Sequence, residues 1–345
     1  MSQVLPTPVD GGGGGGGTPA STVVTEQSYG QASAVGTSTD YARADHTHGT
    51  PSAGGLSDFL GLFGDGGDGN ATITGTTTLT REMHYDNLTV NNGGVLKPAG
   101  NRIFVRGTLT VNAGGSINDD GTSATSHVGP TGFAARNYLG ASGTNAGSGW
   151  SVVSAQSAAG NAGVSNTNSS PNSANVLPAG GAGGSTLTRV GGAGGAAPAN
   201  ASFPQRWSGR ILDGRGSFGA FNGGAGGGGG AASVGTYTGG TFISGGGGSG
   251  AGIVWIAAAT ISNSGTISAR GGNGANASAG TGSGDVGGGG GGGGGLVGII
   301  TKSATVGGTV SVAGGTGGTG AGVGGNVGGN GTAGANGAYH LLVLG

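Results

Sequence analysis

The sequence predicts an all-β protein: short-strand β-solenoid or β-sandwich-like repeats combined with ordered polyglycine-II tracts, behind an extended N-terminal arm. Three observations predict it. Residues 253–272 and 296–315 align without a gap, 43 residues apart. Leu88-Thr-Val-Asn-Asn-Gly-Gly returns 21 residues later as Leu109-Thr-Val-Asn-Ala-Gly-Gly. Finally, 94 of the 345 residues are glycine, with unbroken runs at Gly11–Gly17 and Gly287–Gly295. Fixed internal periods point to a repeat architecture, and glycine without a strict Gly-X-Y period or abundant proline excludes collagen.

Disorder is the usual reading of such glycine content. Against it, 33% of the chain is hydrophobic and only 7% charged, and the apolar residues come in β-branched bursts that disordered chains lack. Glycine can order as three-fold helices rising about 3.1 Å per residue, so residues 287–295 would span roughly 28 Å. Packed side by side, such helices can exchange backbone hydrogen bonds because no side chain holds them apart. The alternative is a flexible linker.

Three regions follow: an arm and attachment segment at 1–55, a β-repeat domain at 56–121, and a glycine-rich body with exposed loops at 122–345. Residues 1–20, with Pro6, Pro8, Pro19 and the first glycine run, read as an arm. Residues 56–63 form an apolar patch suited to a helical turn or a packing plug, and residues 65–70 a turn whose spacing does not fit an EF-hand loop. From Ala71 to Gly121, Thr alternates with apolar residues as in strands. The 21-residue spacing suits one coil of a parallel solenoid, and hairpins in a sandwich are the second reading.

Residues 122–250 are dominated by Ser, Asn, Ala and Gly, broken by single aromatics. Trp150, Trp207, Phe218, Phe221 and Tyr237 are candidate receptor contacts, on loops leaving the ends of a rigid slab. The same aromatics could instead cap the glycine layers. The run Tyr339-His-Leu-Leu-Val-Leu344 predicts a last strand docked into the core.

Residues 1–120 carry 11 of the 13 carboxylates, leaving Asp213 and Asp285 beyond them. Two carboxylates about 5–9.5 Å apart are the minimum for glycosidic general acid–base chemistry, so the C-terminal body is poorly equipped to be a glycan depolymerase. No nucleophile elbow, zinc-protease motif or phosphate loop occurs. The reading is therefore non-enzymatic, with no cofactor required. There is no cysteine, no basic run suggesting nucleic acid, and no stretch of 18 apolar residues for membrane insertion. The N-terminus lacks a signal peptide, which counts against a cellular wall or filament protein and suggests assembly in a host cytoplasm with release by lysis.

The segment Tyr41-Ala-Arg-Ala-Asp-His46-Thr-His48-Gly49 resembles one widespread in bacteriophage tail fibres and other virion appendages. That resemblance implies a fibre attached to the particle through its N-terminal region and a homotrimer as the first choice of assembly. It also implies that His46 and His48 from three chains could hold iron or another transition metal on the axis. Alternate strand residues share a face, so the geometry is compatible; an ordinary turn is the plain alternative. Residues 180–337 resemble, more loosely, the glycine-rich adhesins at the fibre tips of some T-even-type phages. The chain departs from them in carrying 20-residue strand pairs between its tracts.

The resulting expectation is a virion adhesin contacting a host glycan or an outer-membrane protein, or else a spacer or decoration fibre. Native mass spectrometry with metal analysis checks the axial site: iron or another transition metal should accompany the folded oligomer and leave on chelation, and a metal-free oligomer indifferent to chelator would remove it.

Overall fold

A computed structural model of the chain describes residues 61–130, 146–152, 157–158, 161, 179–187, 189, 191–194, 224–325 and 327–344. Strands β1 (Ala71–Ile73), β2 (Thr76–Thr78), β3 (Met83–Tyr85), β4 (Leu88–Val90), β5 (Val95–Lys97), β6 (Ile103–Val111) and β7 (Ser116–Asn118) come first. Strands β8 (Ser151–Val152), β9 (Ser157–Ala158), β10 (Ala232–Gly239) and β11 (Phe242–Ile243) follow. The last group is β12 (Ile253–Asn263), β13 (Thr266–Ser268), β14 (Thr281–Val286), β15 (Leu296–Val306), β16 (Thr309–Ser311), β17 (Ala321–Val323) and β18 (Ala338–Val343). No helix occurs among the described residues.

Two parallel sheets form the body. One is seven-stranded in the order β1-β4-β6-β12-β15-β18, with β3 also on β6; the other runs β16-β13-β7-β5-β2. Like stacks on like. Leu88 pairs with Leu109 and Val90 with Val111, Ile261 with Leu109, and Ile256 with Ile299. Leu96, Ile117, Ile267 and Val310 form a matching column in the second sheet. Between the sheets, Leu88, Leu96, Ile103, Leu109, Ile117, Ile256, Ile261 and Ile267 are almost wholly excluded from water. Fully burying side chains of this size contributes about 1.5–3 kcal/mol each. On the outer face of the large sheet, Phe104, Trp255, Ile253 and Ile300 pack with Leu62 and Phe63 of the 61–63 turn.

The fold class read from the sequence is corrected by this topology. A sandwich of hairpins fails on direction, because every pairing in the two large sheets is parallel. A solenoid of uniform short coils fails on spacing and length. Leu88 meets Leu109, but the next rung leaps from Ile103 to Ile256, then from Ile253 to Leu296, and the central strands are nine and eleven residues long. The glycine segments run without interruption into β12, β15 and β18. The physical reason is common to both points: a rung needs only a matching apolar column beneath it, so the chain can leave the stack for well over a hundred residues and return. The extended N-terminal arm lies outside the described residues.

The glycine segments form a bundle around Gly287–Gly295, and all nine of those residues are buried. Partner choice repeats every third residue. The N–H groups of Gly287, Gly290 and Gly293 donate to Ala231, Gly228 and Ala225, and their carbonyls accept from Gly245, Gly248 and Ala251. Gly289, Gly292 and Gly295 donate to Ala275, Gly272 and Ala269, and accept from Gly318, Gly315 and Ala338. Gly288, Gly291 and Gly294 donate to Gly329, Thr332 and Ala335, while Gly184 and Gly181 donate back to Gly288 and Gly291. Six segments thus surround one. They also bond to each other in a closed ring, for example Gly227 to Gly248, Gly272 to Ser249, Gly274 to Thr316, Gly331 to Gly318, Thr332 to Ala182 and Gly228 to Gly181.

No side chain could be accommodated there. A Cβ at Gly290 would fall on the carbonyl oxygen of Gly181, and one at Gly291 on that of Gly315. Gly290→Ala should therefore cost at least about 3 kcal/mol, at or beyond the upper end of overpacking penalties. Gly75→Ala, where nothing lies within 4 Å of the added carbon, should stay within roughly 0.5 kcal/mol of the native chain. Equilibrium urea unfolding of the two variants checks the pair.

Candidate binding surface at the loop end of the glycine bundle

The bundle has two unlike ends. At one, its segments pass into the parallel sheets, as Gly252 does into β12 and Gly295 into β15. At the other, marked by Gly287, the segments are joined by loops and by a small antiparallel sheet ordered β17-β14-β10-β9, with β11 paired to β8 beside it. Ala232, Phe242 and Val286 are buried there, and Ala277, Ala279, Ala321 and Val323 pack against them. This cluster seals the loop end against water.

Among the described residues, four large apolar side chains stand out from that end: Leu187 at 75% exposure, Val327 at 76%, Val128 at 59% and Trp150 at 41%. Each is held by its backbone. The N–H of Trp150 donates to Ser244 Oγ at 2.7 Å, and Ser244 N–H returns to the Trp150 carbonyl at 2.9 Å. Ser126 and His127, just before Val128, accept from Gly246 and Gly149. Leu187 crowns a tight turn in which Thr186 N–H donates to the Arg189 carbonyl and Arg189 N–H to Thr186 Oγ1. Gly329 N–H donates to the Ser185 carbonyl, which brings the Leu187 turn beside the segment bearing Val327.

Beneath that turn sits Asp285, a carboxylate only 2% exposed, whose Oδ2 accepts the Leu187 N–H at 2.8 Å. It lies on β14, which pairs with β10 at Ser233 and with β17 at Gly322. A central strand of the small sheet, β14, thus places one acceptor under the Leu187 turn.

Of the residues singled out in the sequence, Trp150 is at this surface with its side chain described. Tyr237 lies on β10, opposite Gly282 of β14. His46, His48, Trp207, Phe218 and Phe221 lie outside the described residues. Val128, Leu187 and Val327 were not anticipated. The only signal available for them was a lone aliphatic residue in a run of Gly, Ser, Thr and Asn.

Other carboxylates among the described residues are engaged. Asp68 takes Arg81 and the His84 N–H, which hold its carboxyl below the usual carboxylate range, the Arg81 hydrogen bond contributing most. Glu82 pairs with Arg102, Asp86 with Arg106 and Asp120 with Arg270. Buried Asp119 accepts the Ile253 N–H where a glycine segment enters β12. Among the described residues, no group of three or more His, Cys, Asp or Glu could hold a metal ion. Comparison with protein families, with curated proteins and with solved structures finds no match for this chain.

If Asp285 anchors the prominent turn, Asp285→Ala should raise amide exchange at residues 185–187 by about tenfold or more, the loss of a hydrogen bond to a charged acceptor. Exchange in β12 and β15 should not change. Hydrogen–deuterium exchange with peptide-level mass spectrometry reads both.

Proposed function

We propose that the chain is a non-catalytic virion fibre protein that binds its host through the loop end of the glycine bundle and joins the particle through its N-terminal region. The observation carrying this reading is the set Val128, Trp150, Leu187 and Val327, held out of a sealed and rigid end. Exposed apolar groups grouped at one end of a soluble scaffold mark an interaction surface, and loops on a rigid support are where binding is usually placed. Attachment through residues 1–55 rests on the resemblance of the segment containing His46 and His48 to phage appendage proteins.

The positions of the buried acids support the non-enzymatic side. Asp119 lies where residues 245–252 enter β12, and Asp285 lies at the opposite end of that segment, since Gly287 bonds to Gly245. Extended chain of that length, at roughly 3 Å per residue, separates them by about 25 Å. That is far beyond the 5–9.5 Å or so that paired glycosidase carboxylates require.

The test is binding of fluorescently labelled full chain to the bacterium in which the particle propagates. The double variant Leu187→Asp with Val327→Asp should bind about ten- to a hundredfold more weakly, as expected for two apolar anchors. Its melting should be unchanged. Equal binding by the variant would remove the loop end as the binding surface, and no binding by the native chain would leave the protein as a spacer.

A further inference from the structure

The remaining exposed large apolar residues among those described lie away from the loop end. Val306 ends β15, while Tyr339, Leu341 and Val343 lie on β18 at 38%, 41% and 50% exposure. Strand β18 is the edge of the seven-stranded sheet, paired in parallel with β15, and no described strand lies beyond it. Tyr339 and Leu341 are in register with Val297 and Ile299, which are buried between the two large sheets. The exposed residues of β18 therefore continue that core outward with no described strand stacked on them.

Backbone groups at this edge are equally open. Ala338 N–H donates to the Gly295 carbonyl at 3.0 Å and Leu344 N–H to the Thr301 carbonyl at 2.8 Å. By strand alternation, the even-numbered residues address β15, and Tyr339, Leu341 and Val343 turn their N–H and C=O groups to the free side. Natural sheets blunt such an edge with lysine, proline or a bulge. Here none is present, and from Ser303 to Gly345 the chain contains no Asp, Glu, Lys or Arg.

We propose that this edge pairs antiparallel with the β18 edge of a second copy of the chain, about a two-fold axis through Leu341. The sequence is self-complementary about that point. Leu341 would face Leu341 of the other copy, and Tyr339 would face Val343 in both directions, each an apolar pair on the core side of the sheet. Aromatic with β-branched is a favourable cross-strand pair. In this register all the outward N–H and C=O groups of the three residues meet a partner, because hydrogen-bonded positions coincide with the exposed ones. The lack of charge argues for the same occupant: nothing at the edge repels its own copy, and nothing there recruits an acidic or basic partner. Reversal of strand direction sends the two glycine bundles away from the joint in opposite directions, so the pairing leaves both loop ends free.

Sedimentation velocity on the full chain, from low micromolar to about 100 μM, tests the assembly. The native chain should show concentration-dependent pairing. Leu341→Lys places like charges opposite each other at an exposed position and should weaken pairing at least tenfold, with unchanged melting of the unpaired chain. Because the chain has no cysteine of its own, the register can be read by disulfide trapping. A mixture of Tyr339→Cys and Val343→Cys chains should cross-link under mild oxidation, and neither variant should do so alone. A single-chain mass at every concentration overturns the proposal, as does an assembly that Leu341→Lys leaves intact. Cross-linking by either variant alone as readily as by the mixture also overturns it.

Discussion

Everything in this chain depends on backbones approaching closely enough to bond directly in more than one plane. A β-strand offers hydrogen bonds along two opposite directions only, because its side chains occupy the other two. The segment Gly287–Gly295 has no side chains and bonds to neighbours on six sides. Each bond contributes only about 0.5–1.5 kcal/mol net, but a buried polar group left unpaired costs more than that. The bundle is therefore held as much by the penalty for opening it as by the gain from closing it. Glycine opposes this with the largest ordering entropy of any residue. The parallel sheets at one end supply the apolar burial that the glycine segments lack.

The two halves of the molecule divide the work. The sheets bury Leu, Ile and Val columns and fix where each glycine segment starts, since Gly252 and Gly295 enter paired strands. The bundle then carries that register, without side-chain packing, to a distant end where the small antiparallel sheet and its loops emerge. Exposed apolar groups follow the same division, with Val128, Trp150, Leu187 and Val327 at the loops and Tyr339, Leu341 and Val343 on the sheet edge. The two groups of exposed apolar residues are thereby kept apart.

Some of this was legible in the sequence. The 43-residue correspondence is a true strand pairing, Ile253 with Leu296 through Asn263 with Val306, because stacked rungs must carry the same apolar pattern to share a column. The 21-residue repeat pairs Leu88 with Leu109 for the same reason. The final apolar run is a strand on β15. What could not be read is which glycine meets which. A bond from Gly290 to Gly228 leaves no trace in sequence, since every glycine offers the same donor and acceptor. The leap from β6 to β12 was hidden likewise, because residues 122–250 carry no apolar periodicity to reveal that the stack resumes. At the loop end, the sequence singles out aromatics, whereas three of the four exposed groups are aliphatic and gain prominence only from the scaffold beneath them.

The period of three within the bundle limits how such a sequence can change in length. In a β-strand, gaining one residue turns the remainder by half a turn and exchanges its faces. In the central glycine segment it would turn the remainder by a third, so each later residue would present its donor and acceptor to a different neighbour. Two residues would do the same in the other sense. Three would restore every direction and only lengthen the bundle by one step of about 9 Å. Insertions and deletions in these monotonous tracts are therefore silent structurally only in multiples of three residues, and only when all six surrounding segments change with them. A stretch with almost no compositional information thus carries a strict count.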